Sequence, residues 1–250
     1  QAESSGFKFD QKSLELLAPD TSIDASAWTS LKISPGVAKF LISSSFVAPT
    51  NIQKLALRNS DSQLIIAETG SGKTFSYLLP IVNQILEDFK QPKFQQQRPL
   101  QYLILTPTHE LAVQINKQFN QVFSQIQAQF FVQLLLIGGM SIQKQQRLLS
   151  QKPLLVLGTP GRILECIKDF SSIKKIVIDE ADKMLQENQY QDLVKLCQEI
   201  NQVAKPKLVL SSATLHLPDA LQDKRLIQVA KNENGKAEKG EKGEKNTNCY

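Results

Sequence analysis

Three cysteines in 250 residues, Cys166, Cys197 and Cys249, form no Cys-x-x-Cys pair. Neither a disulfide framework nor a zinc site is expected, and a reducing intracellular compartment fits this usage. Nucleus, nucleolus, cytoplasm and mitochondrion all satisfy it. Histidine is scarcer still, with only His109 and His216. Long apolar runs are missing. The longest candidate, Phe130–Gly139, holds Gln133 and falls far short of the ~18 residues a membrane span needs. No membrane partner is expected. The opening stretch carries Glu3 and no arginine, which excludes the pattern of a transit peptide. It begins with Gln1, so the sequence is expected either to start inside a precursor or to be a cut fragment.

What is present suffices for one sizeable core, since 41% of the residues are apolar. A formal charge of +5 gives a mild bias toward a polyanionic partner. Glutamine is frequent throughout and carries no functional signal of its own.

Residues 1–27 are polar, broken by Pro19, and read as an extension with one short amphipathic stretch at Leu14–Leu17. From Trp28 onward, short apolar runs alternate with helical patterns. Strands are predicted at Gln63–Ala67, Tyr102–Thr106, Val132–Ile137, Leu154–Gly158, Ile176–Asp179 and Leu208–Ser212. They are rich in Leu, Ile and Val without strict alternation, as for strands covered on both faces. Helices are predicted from Lys73 to about Phe89, from His109 to about Ile126 and from about Lys183 to Ile200, with a local kink at Pro80. The pattern implies an α/β domain over residues 28–230: a doubly wound, mostly parallel sheet with helices on both faces. Residues 231–250, rich in Lys, Glu and Gly, cannot bury enough surface to fold and are expected to be disordered.

Two segments carry chemistry. In Leu64-Ile-Ile-Ala-Glu-Thr-Gly-Ser-Gly-Lys-Thr74 a buried strand leads into a glycine-rich loop and then a helix. Gly70 and Gly72 let the backbone turn so that successive N–H groups face phosphate oxygens. The helix start adds its positive end. Lys73 reaches the β- and γ-phosphates, and the Thr74 hydroxyl can ligate Mg²⁺. Alone, the loop would also fit a surface turn, and Ala67 stands where the general pattern has Gly. The second segment is Ile176-Val-Ile-Asp179-Glu180-Ala181-Asp182, at the end of another buried strand. There Asp179 can hold Mg²⁺ and Glu180 can orient or deprotonate the attacking water. An isolated Asp-Glu would equally fit an acidic helix start.

Residues 28–214 resemble the DEAD-box RNA helicase family. Ala67-Glu68-Thr69-Gly70-Ser71-Gly72-Lys73-Thr74 matches that family's phosphate loop, Ala67 included, and Asp179-Glu-Ala-Asp182 matches its naming motif. Pro49-Thr50-Asn-Ile-Gln53, preceded by Phe46, is similar to its glutamine motif. Trp28 stands 25 positions before Gln53, where the family places an adenine-stacking aromatic. The resemblance implies a RecA-like fold, ATP and Mg²⁺ as cofactors, Gln53 and Thr50 near the adenine, and Trp28 stacked on it. Taken singly, Gln53 reads as a solvated helix residue and Trp28 as core. Pro107-Thr108-His109, Gly138-Gly139 and Thr159-Pro160-Gly161-Arg162 resemble the RNA-backbone motifs; without the family they would read as turns. His109 departs from the family's arginine, which implies a weaker or pH-dependent phosphate contact. Ser212-Ala-Thr214 resembles the motif that links nucleotide state to strand separation. His216 reads as a surface residue.

The resemblance therefore implies the first motor domain of an ATP-dependent RNA helicase, with RNA bound through its backbone and ribonucleoprotein proteins as further partners. No segment like the family's second domain, with its arginine fingers, is read after Thr214, so the sequence is expected to be either a fragment of a two-domain protein or a natural half. The chain alone is expected to bind ATP weakly, hydrolyse it poorly and leave RNA duplexes closed. The competing expectation is a non-catalytic helicase-like scaffold or RNA clamp. A P-loop ATPase without a nucleic-acid partner fits Gln53 and Thr159–Arg162 poorly.

Overall fold

Side chains along each central strand alternate between two apolar environments, so both faces of the sheet are covered. Ile104, Leu155, Leu157, Val177 and Val209 enter one core; Leu103, Leu105, Val156, Ile178 and Leu210 enter the other. The computed structural model describes residues 24–59, 61–91, 94, 99–125, 132–186, 190–214 and 227–230. The expectations for residues 1–23, His216, Cys249 and the 231–250 tail fall outside these.

The strands are β1 (Gln63–Ile66), β2 (Tyr102–Leu105), β3 (Gln133–Leu136), β4 (Leu155–Gly158), β5 (Lys175–Ile178), β6 (Lys207–Ser212) and β7 (Ile227–Ala230). Their order is β3-β4-β2-β5-β6-β1-β7, and every neighbouring pair is parallel. The six predicted strands appear within a residue of the expected ends. The seventh, β7, extends the edge beside β1 and was not foreseen.

One face carries α1 (Ser26–Thr29), α2 (Pro35–Ser43), α3 (Asn51–Leu57), α4 (Lys73–Phe89) and α5 (His109–Gln125). The other carries α6 (Ile142–Leu149), α7 (Pro160–Cys166), α8 (Ala181–Gln186) and α9 (Tyr190–Val203). The doubly wound α/β architecture is therefore as expected. Helix α4 runs through Pro80 as a single element. Among the described residues no helix is long and apolar enough to cross a membrane.

One expectation needs correction. The single helix from Lys183 to Ile200 is two helices, α8 and α9. Buried Met184 and buried Leu193 lie about two and a half turns apart, on opposite sides of any continuous helix. Carried on two helices, both enter the same core; residues 187–189 lie outside the described ones.

Because all strands are parallel, the loops following β1 to β6 leave from one rim. The phosphate loop follows β1, Asp179 follows β5 and Ser212 ends β6, and these three strands are adjacent. Pro107, Gly138 and Thr159 come after β2, β3 and β4, which form the other half of the same rim. Sites of α/β sheets lie at this carboxyl edge.

Candidate active site

The phosphate loop leaves β1 at Ala67, whose N–H donates to the Ser212 carbonyl at 3.3 Å. Gly72 is the N-cap of α4 at φ 95°, in the left-handed region that glycine enters without strain. A Cβ there would sit 2.4 Å from the Gln53 amide nitrogen. Two separate constraints thus require glycine at this position. Lys73 turns its ammonium onto the loop's own carbonyls, those of Ala67 and, at 2.9 Å, Glu68. Burial pushes the Lys73 pKa down, and Asp179, Asp182 and Glu180 pull it back up. The lysine therefore lies within the field of all three carboxylates.

The direct link between loop and carboxylates is Tyr77, one turn into α4. Its buried hydroxyl donates to Asp179 Oδ2 at 2.7 Å and interacts with the Thr74 hydroxyl. Asp179 is 4% exposed. Burial raises its pKa, against which the Ser211 and Tyr77 hydroxyls and the Glu180 N–H stabilise the anion. The buried carboxylate is thus served chiefly by neutral donors.

Glu180 has φ 48°, a conformation uncommon for a residue with a side chain. Its N–H donates to Asp179 Oδ1 at 3.0 Å, and its carboxylate pairs with Lys183 at 3.0 Å. Asp182 accepts the Thr214 hydroxyl at 3.1 Å. Ser212 Oγ in turn donates to the Thr214 carbonyl at 2.8 Å and accepts its N–H at 3.1 Å. Phosphate loop, acidic segment and Ser-Ala-Thr segment form one connected network.

Gln53 is not solvated. It is 2% exposed and completes a capping box at the start of α3, where Thr50 N–H donates to its Oε1 at 2.9 Å and its own N–H donates to Thr50 Oγ1. Its Nε2 donates to the Gly72 carbonyl at 3.2 Å, and the Thr50 hydroxyl donates to the Ser71 carbonyl at 3.0 Å. These bonds dock the glutamine motif directly on the phosphate loop.

Trp28 requires a correction. It has no accessible surface and packs in the core, with its indole N–H donating to the Phe46 carbonyl at 2.8 Å. No face is open to a base here. The exposed aromatic in this region is Phe46, 40% accessible, its ring edge-on to Phe75 of α4 at 4.9 Å. Its place seven residues before Gln53 was the available signal, but sequence cannot rank exposure between two aromatics that are both near the motif.

On the other half of the rim, Thr106 Oγ1 donates to the Thr108 carbonyl at 3.0 Å, and Thr108 Oγ1 accepts the Leu111 N–H at 3.2 Å. His109 Nε2 accepts the Gly138 N–H at 3.2 Å. A Cβ on Gly138 would meet the imidazole at 2.7 Å, so ring and glycine are in close contact. Thr159 is the N-cap of α7 with Pro160 at its first position, and Arg162 pairs with Glu165 at 3.2 Å. Gly161 leaves space for the Asp192 carboxylate of α9. The imidazole Nε2 thus serves as acceptor for a backbone amide.

A parallel sheet with a phosphate loop and an acidic strand end at its carboxyl rim defines a P-loop nucleotide-binding domain. More narrowly, the DEAD/DEAH box helicase model matches residues 50–222, and the chain belongs to that family. It is 35% identical over 201 residues to the ATP-dependent RNA helicase mak5 of Neosartorya fischeri, covering 74% of this chain and 26% of that protein. The corresponding match to MAK5 of Saccharomyces cerevisiae is 36% over 183 residues, covering 68% and 23%. The chain thus spans about a quarter of the length of these curated relatives. Among solved structures, Mss116p bound to ssRNA and AMP-PNP is similar with a TM-score of 0.66 at 27% identity, covering 76% of this chain and 40% of that one. The DEAD-box helicase Mss116 bound to ssRNA and UDP-BeF reaches 0.71 at 23% identity, covering 87% and 47%, a likeness of fold.

Proposed function

We propose that this domain binds ATP with Mg²⁺ between the phosphate loop and Asp179-Glu180, and that the whole protein couples this binding to local separation of RNA strands. The observation that carries the reading is the Tyr77 hydroxyl, which joins the helix of Lys73 and Thr74 to Asp179. In this reading Lys73 leaves the loop carbonyls for the β- and γ-phosphates, and the loop amides from Glu68 to Gly72 cradle them. Ser71 Oγ, buried without a protein partner, supplies another donor. Phe46 takes the stacking role first expected of Trp28. Gln53 keeps one N–H and one lone pair beyond its present bonds for the adenine edge.

The donor set fits a hard divalent cation: a buried carboxylate held by neutral groups, with a threonine hydroxyl bonded to the same tyrosine. Thr74 and Asp179 would hold Mg²⁺, which would supply positive charge against the charge developing on the phosphates. Glu180 orients the attacking water and accepts its proton, its carboxylate released from Lys183. Ser212 and Thr214 carry the state of this network toward a partner domain.

The β2-β4-β3 half takes the RNA backbone in the same reading. Thr108, Gly138, Gly139, Thr159 and Arg162 offer hydroxyls, amides and one charge, with Pro107, Pro160 and Gly161 shaping the turns. The scaffold or clamp reading draws support from His109, whose imidazole serves Gly138 rather than offering a fixed charge. A reducing intracellular location accords with Cys166 and Cys197, free thiols whose pKa burial raises.

Titration of the chain with a fluorescent ATP analogue tests the core of the reading. Saturable binding that needs magnesium and is displaced by ATP rather than GTP is expected. Binding indifferent to magnesium, or equal displacement by GTP, refutes it.

A further inference from the structure

At the opposite, amino rim of the sheet the strand register lines up a row that none of the chemistry above uses. Tyr102 of β2 faces Lys175 of β5, and Lys175 faces Lys207 of β6. The period of two puts all three on the side of Ile104, Val177 and Val209, beneath α1 to α5. Neighbouring strands lie about 4.8 Å apart, so two ammonium-bearing side chains rise side by side from the sheet. Like charges placed directly opposite each other destabilise a sheet.

The protein does little to offset this. Lys207 meets exposed Asp61 at 3.7 Å and Lys174 meets Asp88 at 3.8 Å, both beyond hydrogen-bond length. Among the described residues Lys175 has no ion pair or hydrogen bond from its side chain. Burial, and then the charge of Lys207, push its pKa down to about 8.

These residues line a cleft of about 720 Å³, within the range of ligand sites. Lys32, Lys174 and Lys205 add to its positive charge, while Glu87 in its lining is already paired with Lys90 at 2.7 Å. The remaining wall is largely apolar, with Leu31, Ile33, Leu57, Pro80 and Ile173. Asn83 fixes one side: its Oδ1 accepts the Ser34 N–H at 2.9 Å and its Nδ2 donates to the Lys32 carbonyl. That wall is therefore set before any ligand arrives.

We propose that this cleft docks an acidic peptide segment of a partner protein, its carboxylates taken by Lys175 and Lys207 and its apolar side chains by the wall around Leu31, Ile33 and Tyr102. Lysines without an arginine act as point charges and suit carboxylates on a flexible chain better than a planar, bidentate fit. A nucleic-acid backbone or a free polyphosphate would leave the apolar wall uncovered. A peptide with alternating acidic and apolar residues satisfies both parts. The site lies at the opposite end of the strands from the phosphate loop and depends on neither ATP nor RNA.

The probe is a fluorescein-labelled peptide alternating Glu with Leu and Phe, titrated by anisotropy against the whole chain at moderate salt. Saturable binding is expected, weakened at least ~10-fold in Lys175→Gln/Lys207→Gln, two charges that anchor the ligand. That variant should melt no lower than the parent, because it removes repulsion; Lys174→Gln/Lys205→Gln provides a second weakened variant on the cleft's rim. Calorimetry at pH 8 should show uptake of about half a proton on binding, as a carboxylate restores the charge on Lys175. Unchanged affinity in the well-folded double variants overturns the proposal, as does equal binding of the Gln-for-Glu peptide. Displacement by tripolyphosphate or oligouridylate at concentrations comparable to the peptide's overturns it in favour of a phosphate ligand. A peptide of residues 1–23 that binds more tightly than the probe overturns it in favour of this chain's own amino-terminal segment.

Discussion

The carboxyl rim is one edge of one sheet, yet its two halves are held in different ways. On the β5-β6-β1 side, side chains tie separate loops together: Tyr77 to Asp179, Thr214 to Asp182 and Gln53 to Gly72. On the β3-β4-β2 side turns and helix caps do more of the shaping, and the ties are His109 to Gly138 and the buried Gln145, whose amide donates to the Ile137 carbonyl and accepts the Cys166 thiol of α7. The chemistry proposed for each half accounts for the difference. Stabilising a charge that develops at one atom needs groups fixed in advance, since their reorganisation would cost part of the gain. Following a flexible, repeating backbone needs donors spread along an edge and little else.

The largest effect should come from Lys73→Ala, on the tightly tied side. Losing charge-assisted bonds to two phosphates removes roughly 3 kcal/mol or more of nucleotide affinity, about 100-fold. Calorimetric titration measures it, and unchanged affinity would remove the phosphate-site assignment while leaving the fold intact.

Asp179→Asn separates stability from function on the same side. The folded-state pKa of Asp179 is raised, so the folded protein holds this proton at pH values where the unfolded chain has released it. Stability therefore falls as pH rises from the ordinary carboxylate value through the folded one, and the cost persists at neutral pH. The amide should melt at a higher temperature than the parent at pH 7, because it removes the charged form that burial disfavours, while magnesium-dependent ATP binding is lost. A variant that melts lower and still binds Mg-ATP would contradict both assignments.

Smaller effects belong to the looser side. Arg162→Ala should lower single-stranded RNA affinity and flatten its salt dependence by about one charge; an unaltered slope counts against Arg162 as a phosphate contact. His109→Arg should sharpen the contrast in the opposite direction. It adds a charge within reach of the backbone but removes the acceptor for the Gly138 amide, so a steeper salt slope with only a few-fold gain in affinity is expected. If affinity and slope stay the same, His109 does not face RNA.

Local chemistry was readable before any coordinates. Gly70 to Thr74 between a strand and a helix, Asp179-Glu180 at a strand end, and six apolar runs were each recognisable from adjacent residues. Side-chain allegiance was not. Trp28 and Phe46 are both aromatic and both near the glutamine motif, and only packing sends one indoors and leaves the other at the surface. Gln53 looked solvated because Gly72, whose carbonyl takes its Nε2, meets it only after α3 docks on the phosphate loop. Tyr77 gave no signal, since its partner lies 102 residues away. That Met184 and Leu193 sit on two helices, α8 and α9, was legible in their opposite helical phase, though the charged and polar residues between them favour one helix.

The order of residues by itself determined which segments become strands, where a backbone must turn around phosphate, and which residues could serve a nucleotide. These depend on neighbours within a few positions, through steric limits on the backbone and the periodicity of apolar side chains. The tertiary structure alone decided which side chains meet. It placed β6 between β5 and β1, and so brought Ser212, Asp179 and the phosphate loop together; by the same register it set Lys175 beside Lys207. Strand order follows from how two apolar faces are covered at once, a condition on the whole chain that no single segment contains.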